Sequence, residues 1–534
     1  AAGSGRGWFV GMFDFDRDNS WSALREPQRL VIIGGGITGA GIFWQAALAG
    51  LQPLLLEAHD FASGTSSRSS KLVHGGLRYL RNLQFATTWH AVRERERLLR
   101  GSGDLVRPLP FMFPLYEGQD PLWLLGLGLT LFDLFALNWQ HERFDPQQVL
   151  EGCPPLRSEG LKGGYRYHDA QADDARLVLR IIQAGLRAGG HAMNYAPVER
   201  ILRGPQGKVA GVTVKDMLAR GQPSRDVDAA IVVNATGAWA DQLRDQVDRE
   251  PRLRPLRGSH LVFPRSRFPL EMAITVLHPD DQRPLFAIPW QGVTLFGTTD
   301  LDLQGPMATD LAITDRERDY LFAALEHGFP RLALDAEDAL SSFAGVRSVI
   351  DSGAEDPSDE SREHAIWHEQ GLVTVTGGKL TTFRLMARET LRAIQARHEM
   401  DISLPSDEQT FESAPDENPA PLRLDPAGWA RLQGRFGPLA EQVVECAHEG
   451  ELERIQELPT RWVELRWAAR AEAACHLEDL LLRRTRLGLQ LPRGAHALAP
   501  RIRTIVQPEL GWSDHRWEQE QEAYRQLWAR YYAP

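Results

Sequence analysis

Twelve residues, SSKLVHGGLRYL at 69–80, bring a lysine, an imidazole, a glycine pair, a guanidinium and a phenol into one short segment. Arg78 is a fork suited to phosphate or carboxylate, and Tyr79 can add a hydroxyl. Gly75 and Gly76 let backbone approach a planar ring. Two further cations could share such a pocket, Arg347 in FAGVRS and Lys379 in GGKLTT. Three cations converging on one pocket would bind a dianion such as a phosphate monoester. Oxidising a carbon that bears a hydroxyl also requires a base for the hydroxyl proton. His74 and His260, the latter in RGSHLVF, are both candidates, because imidazole titrates near neutral pH. Thr298, Thr299 and Asp300 of FGTTD could line the pocket or position the base. A lone arginine is usually a surface ion pair and a lone histidine usually structural, so the weight rests on the grouping.

These residues need a scaffold, and the chain opens with one. RLVIIGGGITGAGIFWQAALAGLQPLLLE, from residue 29, reads as strand, glycine turn, helix and second strand. In this pattern Gly34 allows the tight turn, Gly36 lets a pyrophosphate approach backbone, and Gly39 lets helix and strand pack closely. Free N–H groups at the helix start would hold phosphate charge. Glu57 ends the second strand, where it can accept hydrogen bonds from a ribose diol. Two later turns extend the cradle. NATGAW at 234–239 puts Ala235, Gly237 and Trp239 after a strand, and TGGKLTTFR at 376–384 puts Gly378, Lys379, Leu380 and Thr381 before a helix. A cofactor touched by three turns this far apart is long, which favours extended FAD over NAD. Ser66, Ser67, Ser70 and Lys71 are then expected on the cofactor side of the segment, with Ser69, Ser70 and Lys71 near the pyrophosphate. His74, Gly75, Gly76, Arg78 and Tyr79 are expected along the flavin.

With 534 residues the chain has room for two or three domains, and 43% hydrophobic with 25% charged residues is a globular balance. A net charge of −11 argues against nucleic acid as partner. Cys153, Cys446 and Cys475 are too sparse for a disulfide framework and have no metal-ligand spacing, which points to a reducing, cytoplasmic setting and no metal. Residues 1 to 25 lack the apolar core of a signal peptide and are set aside. PLWLLGLGLTLFDLFALNW at 121–139 is almost wholly apolar around Asp133. It reads as a buried helix or as a surface that dips into a bilayer interface, and it barely reaches the length of a span. The expected division is a cofactor domain from 29–118, 151–254 and 346–402, the apolar segment at 119–150, a substrate domain at 255–345, a linker at 403–422 and a charged helical domain at 423–534.

Taken in order, IIGGGITGAG, GTSSRSSKLVHGGLRYL, DAQADDARLVL, NATGAWAD, RGSHLVFP, FGTTD, AGVR and TGGKLTTFR resemble the FAD-dependent glycerol-3-phosphate dehydrogenases from about 29 to 395. EDLLLRRTRLG in the tail is similar to that family's C-terminal domain. The resemblance implies an α/β chain with a Rossmann-type FAD-binding domain, a mixed β-sheet substrate domain of the D-amino-acid oxidase-like superfamily and a C-terminal helical domain. It implies oxidation of sn-glycerol 3-phosphate to dihydroxyacetone phosphate, with electrons passed to a quinone at the inner membrane by a peripherally attached enzyme. It places Arg78, Tyr79, Arg347 and Lys379 at the substrate and His74 and His260 beside the flavin; Thr299 of FGTTD is expected with the substrate residues, and His74, His260 and Arg347 form the expected catalytic set. A homo-oligomer is compatible with it. Alternatives are an oxidase using O₂, an amino-acid oxidase on the same scaffold, and a flavin-binding subunit without turnover. The chain departs from the family in carrying Arg257 where a lysine is usual, GVRS in place of GVRP, and no basic cluster beside the apolar stretch.

Overall fold

The computed structural model describes residues 17–75, 85–118, 129–130, 141–354, 360, 363–398, 401–406 and 424–534. Gly76, Arg78 and Tyr79 lie outside the described residues, as do most of the apolar stretch 121–139 and of the linker 403–422.

A six-stranded sheet carries the glycine turns. Its order is His364–Glu369, Leu372–Gly377, Val232–Asn234, Val31–Ile33, Leu54–Leu56 and His191–Met193. Every pairing is parallel except that of the edge strand His364–Glu369. Val31–Ile33 and Leu54–Leu56 are wholly apolar because both faces are covered, while the edge strand His364–Glu369 is mixed and only partly buried. Alternation sorts their side chains. Leu30, Ile32 and Leu55 join a core with the helices Ile37–Leu48, Asp174–Arg187 and Phe383–His398. Val31, Ile33, Leu54 and Leu56 face Val212, Val214 and Val227 of a three-stranded antiparallel ribbon.

The second sheet has ten strands and is mixed. Leu253–Pro264 lies one strand in from the sheet's end, paired with both Val293–Gly297 and Ser341–Ile350, so that His260 and Arg347 ride on adjacent strands. Val106–Tyr116 and Leu161–Ala172 also belong to it. The expected ranges 29–118, 151–254 and 346–402 therefore each feed both sheets. Partner choice in a sheet is long-range, and a short apolar strand looks alike in either one. Pro108, Pro110 and Pro114 argue against a strand at Val106–Tyr116. They are tolerated because the partner on the second side pairs only at Phe111 and Met112.

Residues 17–25 also correct the sequence reading. Arg17–Ala23 is a helix, Arg17 pairs with Asp216 at 2.5 Å, and Leu24 packs in the core beside Val31. Of the C-terminal helices, Trp462–Ala471, Ala499–Leu510 and Asp514–Tyr531 pack on the substrate sheet, while Pro426–Phe436 packs in a separate core with Val443, Val463 and Trp467. Trp290 and Phe343 share one apolar core with Leu480, Trp517 and Trp528. No helix among the described residues is long and apolar enough to cross a membrane.

Candidate functional site

A cavity of about 940 Å³ runs from the glycine turns to the substrate sheet. At one end Gly34 has φ +110°, and its N–H donates to Leu56 O at 2.8 Å, which fixes the turn between the first two strands. Gly36, Ile37 and Thr38 open the helix Ile37–Leu48 onto the cavity. The first turn of a helix carries N–H groups without partners in the helix itself, which suits a phosphate. Ile37 N donates to Ser66 Oγ at 2.9 Å, so Ser66 braces this turn as well as lining the cavity.

Glu57 lines the wall at the end of the second strand. Its carboxylate accepts the N–H of Gly35 at 2.6 Å and of His59 at 2.9 Å. Burial raises its pKa, and those two bonds oppose the shift. Each oxygen keeps a lone pair for a hydroxyl. Ala235, Gly237 and Trp239 continue the wall, followed by Gly378, Lys379, Leu380 and Thr381. Gly377 and Gly378 have φ of +77° and +72°, a left-handed turn that points backbone at the cavity. Thr381 Oγ1 donates to His74 O at 3.3 Å, tying this turn to the segment that begins at Ser69.

The far end carries His74, His260, Arg347, Thr298, Asp300 and Arg283. Arg347 donates to Asp300 Oδ1 at 2.6 Å, to Thr299 O at 3.2 Å and to Thr298 Oγ1 at 3.1 Å. The FGTTD turn thus aims the guanidinium. His260 is 2% exposed and stacks on Phe343 with ring centroids 4.7 Å apart. Its Nε2 meets Ser70 Oγ at 2.9 Å, and its Nδ1 has no hydrogen-bond partner among the described residues. Burial drives its pKa well below the ordinary value, and the positive charges of Lys71 and Arg347 push the same way. His260 is therefore neutral at pH 7 and competent to accept a proton.

Three expectations, those for Lys71, Ser67 and Thr299, need correction. Lys71 does not reach the pyrophosphate position: it is fully buried behind the wall, with its ammonium donating to Ser67 O at 2.6 Å and Asp174 at 2.8 Å. Its left-handed φ of +62° turns the side chain away from its neighbour Ser70, which does line the cavity. Ser67 is likewise buried outside the lining. Thr299 is buried behind Arg347, where its hydroxyl donates to Glu317 at 2.9 Å and only its carbonyl serves the guanidinium. Gly39 sits beneath the turn and acts purely by packing. Arg257, the departure from the usual lysine, pairs with Glu317 at 2.8 Å and does not line the cavity.

Asp169 was not singled out from the sequence. It lines the cavity and accepts the Gly75 N–H at 3.0 Å and Arg95 at 3.1 Å, so it sets the start of the glycine pair. Burial pushes its pKa up. Its only sequence signal was its place at the head of DAQADDARLVL, in a strand of mixed polar and apolar residues.

The lining fits FAD. Small or glycine residues stand wherever backbone meets the cavity, a helix start faces the diphosphate position, a carboxylate faces the ribose position, and the volume suits a dinucleotide. The neutral state of His260 has a stability signature. Its folded pKa lies below the unfolded value, so the unfolded chain binds the extra proton first. Stability from this residue falls as pH drops below about 6.5, by up to about 1.4 kcal/mol per pH unit. Thermal unfolding at pH 7 and pH 5.5 should show a larger loss for the parent than for His260→Asn, and equal losses would refute the assignment.

Comparison with known proteins agrees with this geometry. The family model described as FAD dependent oxidoreductase matches residues 29–393, and that described as the C-terminal domain of alpha-glycerophosphate oxidase matches 382–517. An aerobic glycerol-3-phosphate dehydrogenase of Staphylococcus epidermidis is 36% identical over 439 residues, covering 81% of this chain and 77% of that protein. One of Bacillus subtilis is 38% identical over 380 residues, covering 70% and 68%. The solved glycerol-3-phosphate dehydrogenase of Bacillus halodurans, in complex with FAD, superposes with a TM-score of 0.78 at 30% identity and covers 97% of this chain and 98% of that one.

Proposed function

Because the chain belongs to the FAD-dependent oxidoreductases and, within them, to the aerobic glycerol-3-phosphate dehydrogenase family, we propose that it oxidises sn-glycerol 3-phosphate to dihydroxyacetone phosphate and delivers the electrons to a membrane quinone. The observation that carries this reading is that Arg347, Lys379 and a neutral His260 open on the same cavity as the dinucleotide cradle. FAD bound in that cradle supplies the hydride acceptor. Arg347 and Lys379 hold the phosphate dianion and so orient C2. His260 accepts the C2 hydroxyl proton, with His74 as the second candidate on the same wall. The phosphate would offset the charge of Arg347, one of the influences that keep His260 from binding a proton. Substrate binding therefore raises the basicity of His260 when a base is needed.

An anaerobic titration with glycerol 3-phosphate tests the reaction. Flavin absorbance near its visible maximum should bleach at one equivalent, and an unchanged spectrum would rule the reaction out. The acceptor needs a separate test, because the match to an oxidase C-terminal domain favours O₂ as a second reading. Little peroxide per substrate oxidised, and faster turnover with a soluble quinone, support the quinone. Stoichiometric peroxide that quinone does not suppress would select the oxidase. A lipid-soluble acceptor also requires contact with a bilayer interface, and we assign that contact to the apolar stretch 121–139. Flotation with vesicles should weaken when Leu124 and Leu125 are changed to serine.

A further inference from the structure

We propose that the C-terminal helical domain is a clasp that retains FAD, holding the loop 57–70 from behind. This inference rests on the FAD-binding cradle alone and not on the identity of the substrate. Glu57, Ser63, Ser66 and Ser70 from this loop line the cavity, and Ser66 also braces the helix start that faces the diphosphate position.

The loop is anchored to the C-terminal domain at three points. Beneath its first half lies Asp60, with no exposed surface. Arg484 donates to both of its oxygens, at 2.6 and 2.7 Å, and Arg483 Nε adds a third bond at 2.5 Å. Burial alone would raise the pKa of Asp60, yet the two arginines outweigh it and hold the carboxyl down to about 2. Asp60 O accepts the N–H of Ser63 at 3.1 Å, and Ala62 N donates to Gly35 O at 3.1 Å, so the aspartate sits inside the turn that joins Glu57 to the glycine motif. The second anchor is Arg486, which donates to Ser67 O at 3.2 Å and pairs with Asp174. Asp174 in turn accepts from Ser69 Oγ at 2.7 Å. The third is Tyr532, whose hydroxyl meets Arg68 Nη2 at 2.8 Å, and Arg68 lines the cavity.

Simple domain adhesion would not need this placement. Other buried pairs of the C-terminal domain, such as Glu451–Arg466 at 2.6 Å, hold that domain together without touching the loop. The arginines of EDLLLRRTRLG instead converge on the acids that flank the cofactor wall. A buried carboxylate left without its arginines would distort or open the loop, since an uncompensated buried charge is not tolerated.

The test uses the full-length holoenzyme without substrate, so its outcome is independent of what the enzyme oxidises. FAD release is followed as the rise in flavin fluorescence after dilution, alongside the unfolding temperature of each variant. Asp60→Asn should release FAD at least about tenfold faster, about 1.4 kcal/mol, since it weakens the charge-assisted bonds to Arg483 and Arg484. Tyr532→Phe removes a single hydroxyl, and about threefold faster release is expected; it decides the question if Asp60→Asn does not fold. Glu451→Gln should lower the unfolding temperature while leaving release within about twofold of the parent. Unchanged release in Asp60→Asn and Tyr532→Phe, or equal acceleration by Glu451→Gln, would overturn the clasp.

Discussion

Arg347→Ala should lower kcat/KM for glycerol 3-phosphate by about 10³-fold, with KM raised and kcat lowered together. Two losses add. The proposed charge-assisted bond to the phosphate disappears, and Asp300 loses the guanidinium it pairs with at 2.6 Å, which makes the wall proposed for the dianion more negative. The expected fall in kcat follows from the proposed role, in which the guanidinium orients the substrate as well as holding it. Arg347→Lys should recover only part of the loss, since an ammonium keeps the charge but cannot bond Asp300, Thr298 and Thr299 in one plane. The pH profile gives an independent reading. Arg347 is one of the charges that depress His260, so its removal raises that pKa. The acid limb of kcat/KM then moves to higher pH, because the base is protonated sooner as pH falls. Steady-state kinetics from pH 5.5 to 8 would check both effects, and an unchanged kcat/KM would remove Arg347 from the site.

Gly39→Ala should yield protein nearly free of flavin and destabilised by about 3–5 kcal/mol. A Cβ on Gly39 would lie 1.8 Å from Gly34 O and 3.1 Å from Gly34 C. Neither side can yield cheaply. Gly34 is pinned by its bond to Leu56 O, and a Cβ of its own would meet Ala235 O at 2.6 Å, so the turn already touches the next strand. Helix Ile37–Leu48 would have to lift off the sheet, carrying the phosphate-facing N–H groups with it. The ratio of visible to ultraviolet absorbance after purification and a thermal melt check the two parts. Full flavin occupancy in this variant would show that the packing at this turn tolerates more than the backbone geometry allows.

The cradle was legible because its chemistry is local. The spacing of Gly34, Gly36 and Gly39 after an apolar strand states the turn, the helix start and the packing contact within a dozen residues. Glu57 follows from the same logic, since the second strand must end beside the first turn. The same holds for Gly377 and Gly378, whose positive φ values are what a glycine pair before a helix anticipates.

The sequence alone, then, determined which residue types the site holds and the two-sided burial of the strands that carry the glycine turns, because period and spacing act over a few residues. Tertiary structure decided which of those side chains face the cavity. Lys71 and Ser70 are neighbours in the chain, yet one is sealed against Asp174 and the other meets His260, with a left-handed φ of +62° at Lys71 where they diverge. It also decided the company they keep: Asp169 under Gly75, the FGTTD turn behind Arg347, and Arg484 from the far end of the chain beneath Asp60. Contacts between residues hundreds of positions apart are set by how two sheets and a helical domain pack, and no local pattern encodes that packing.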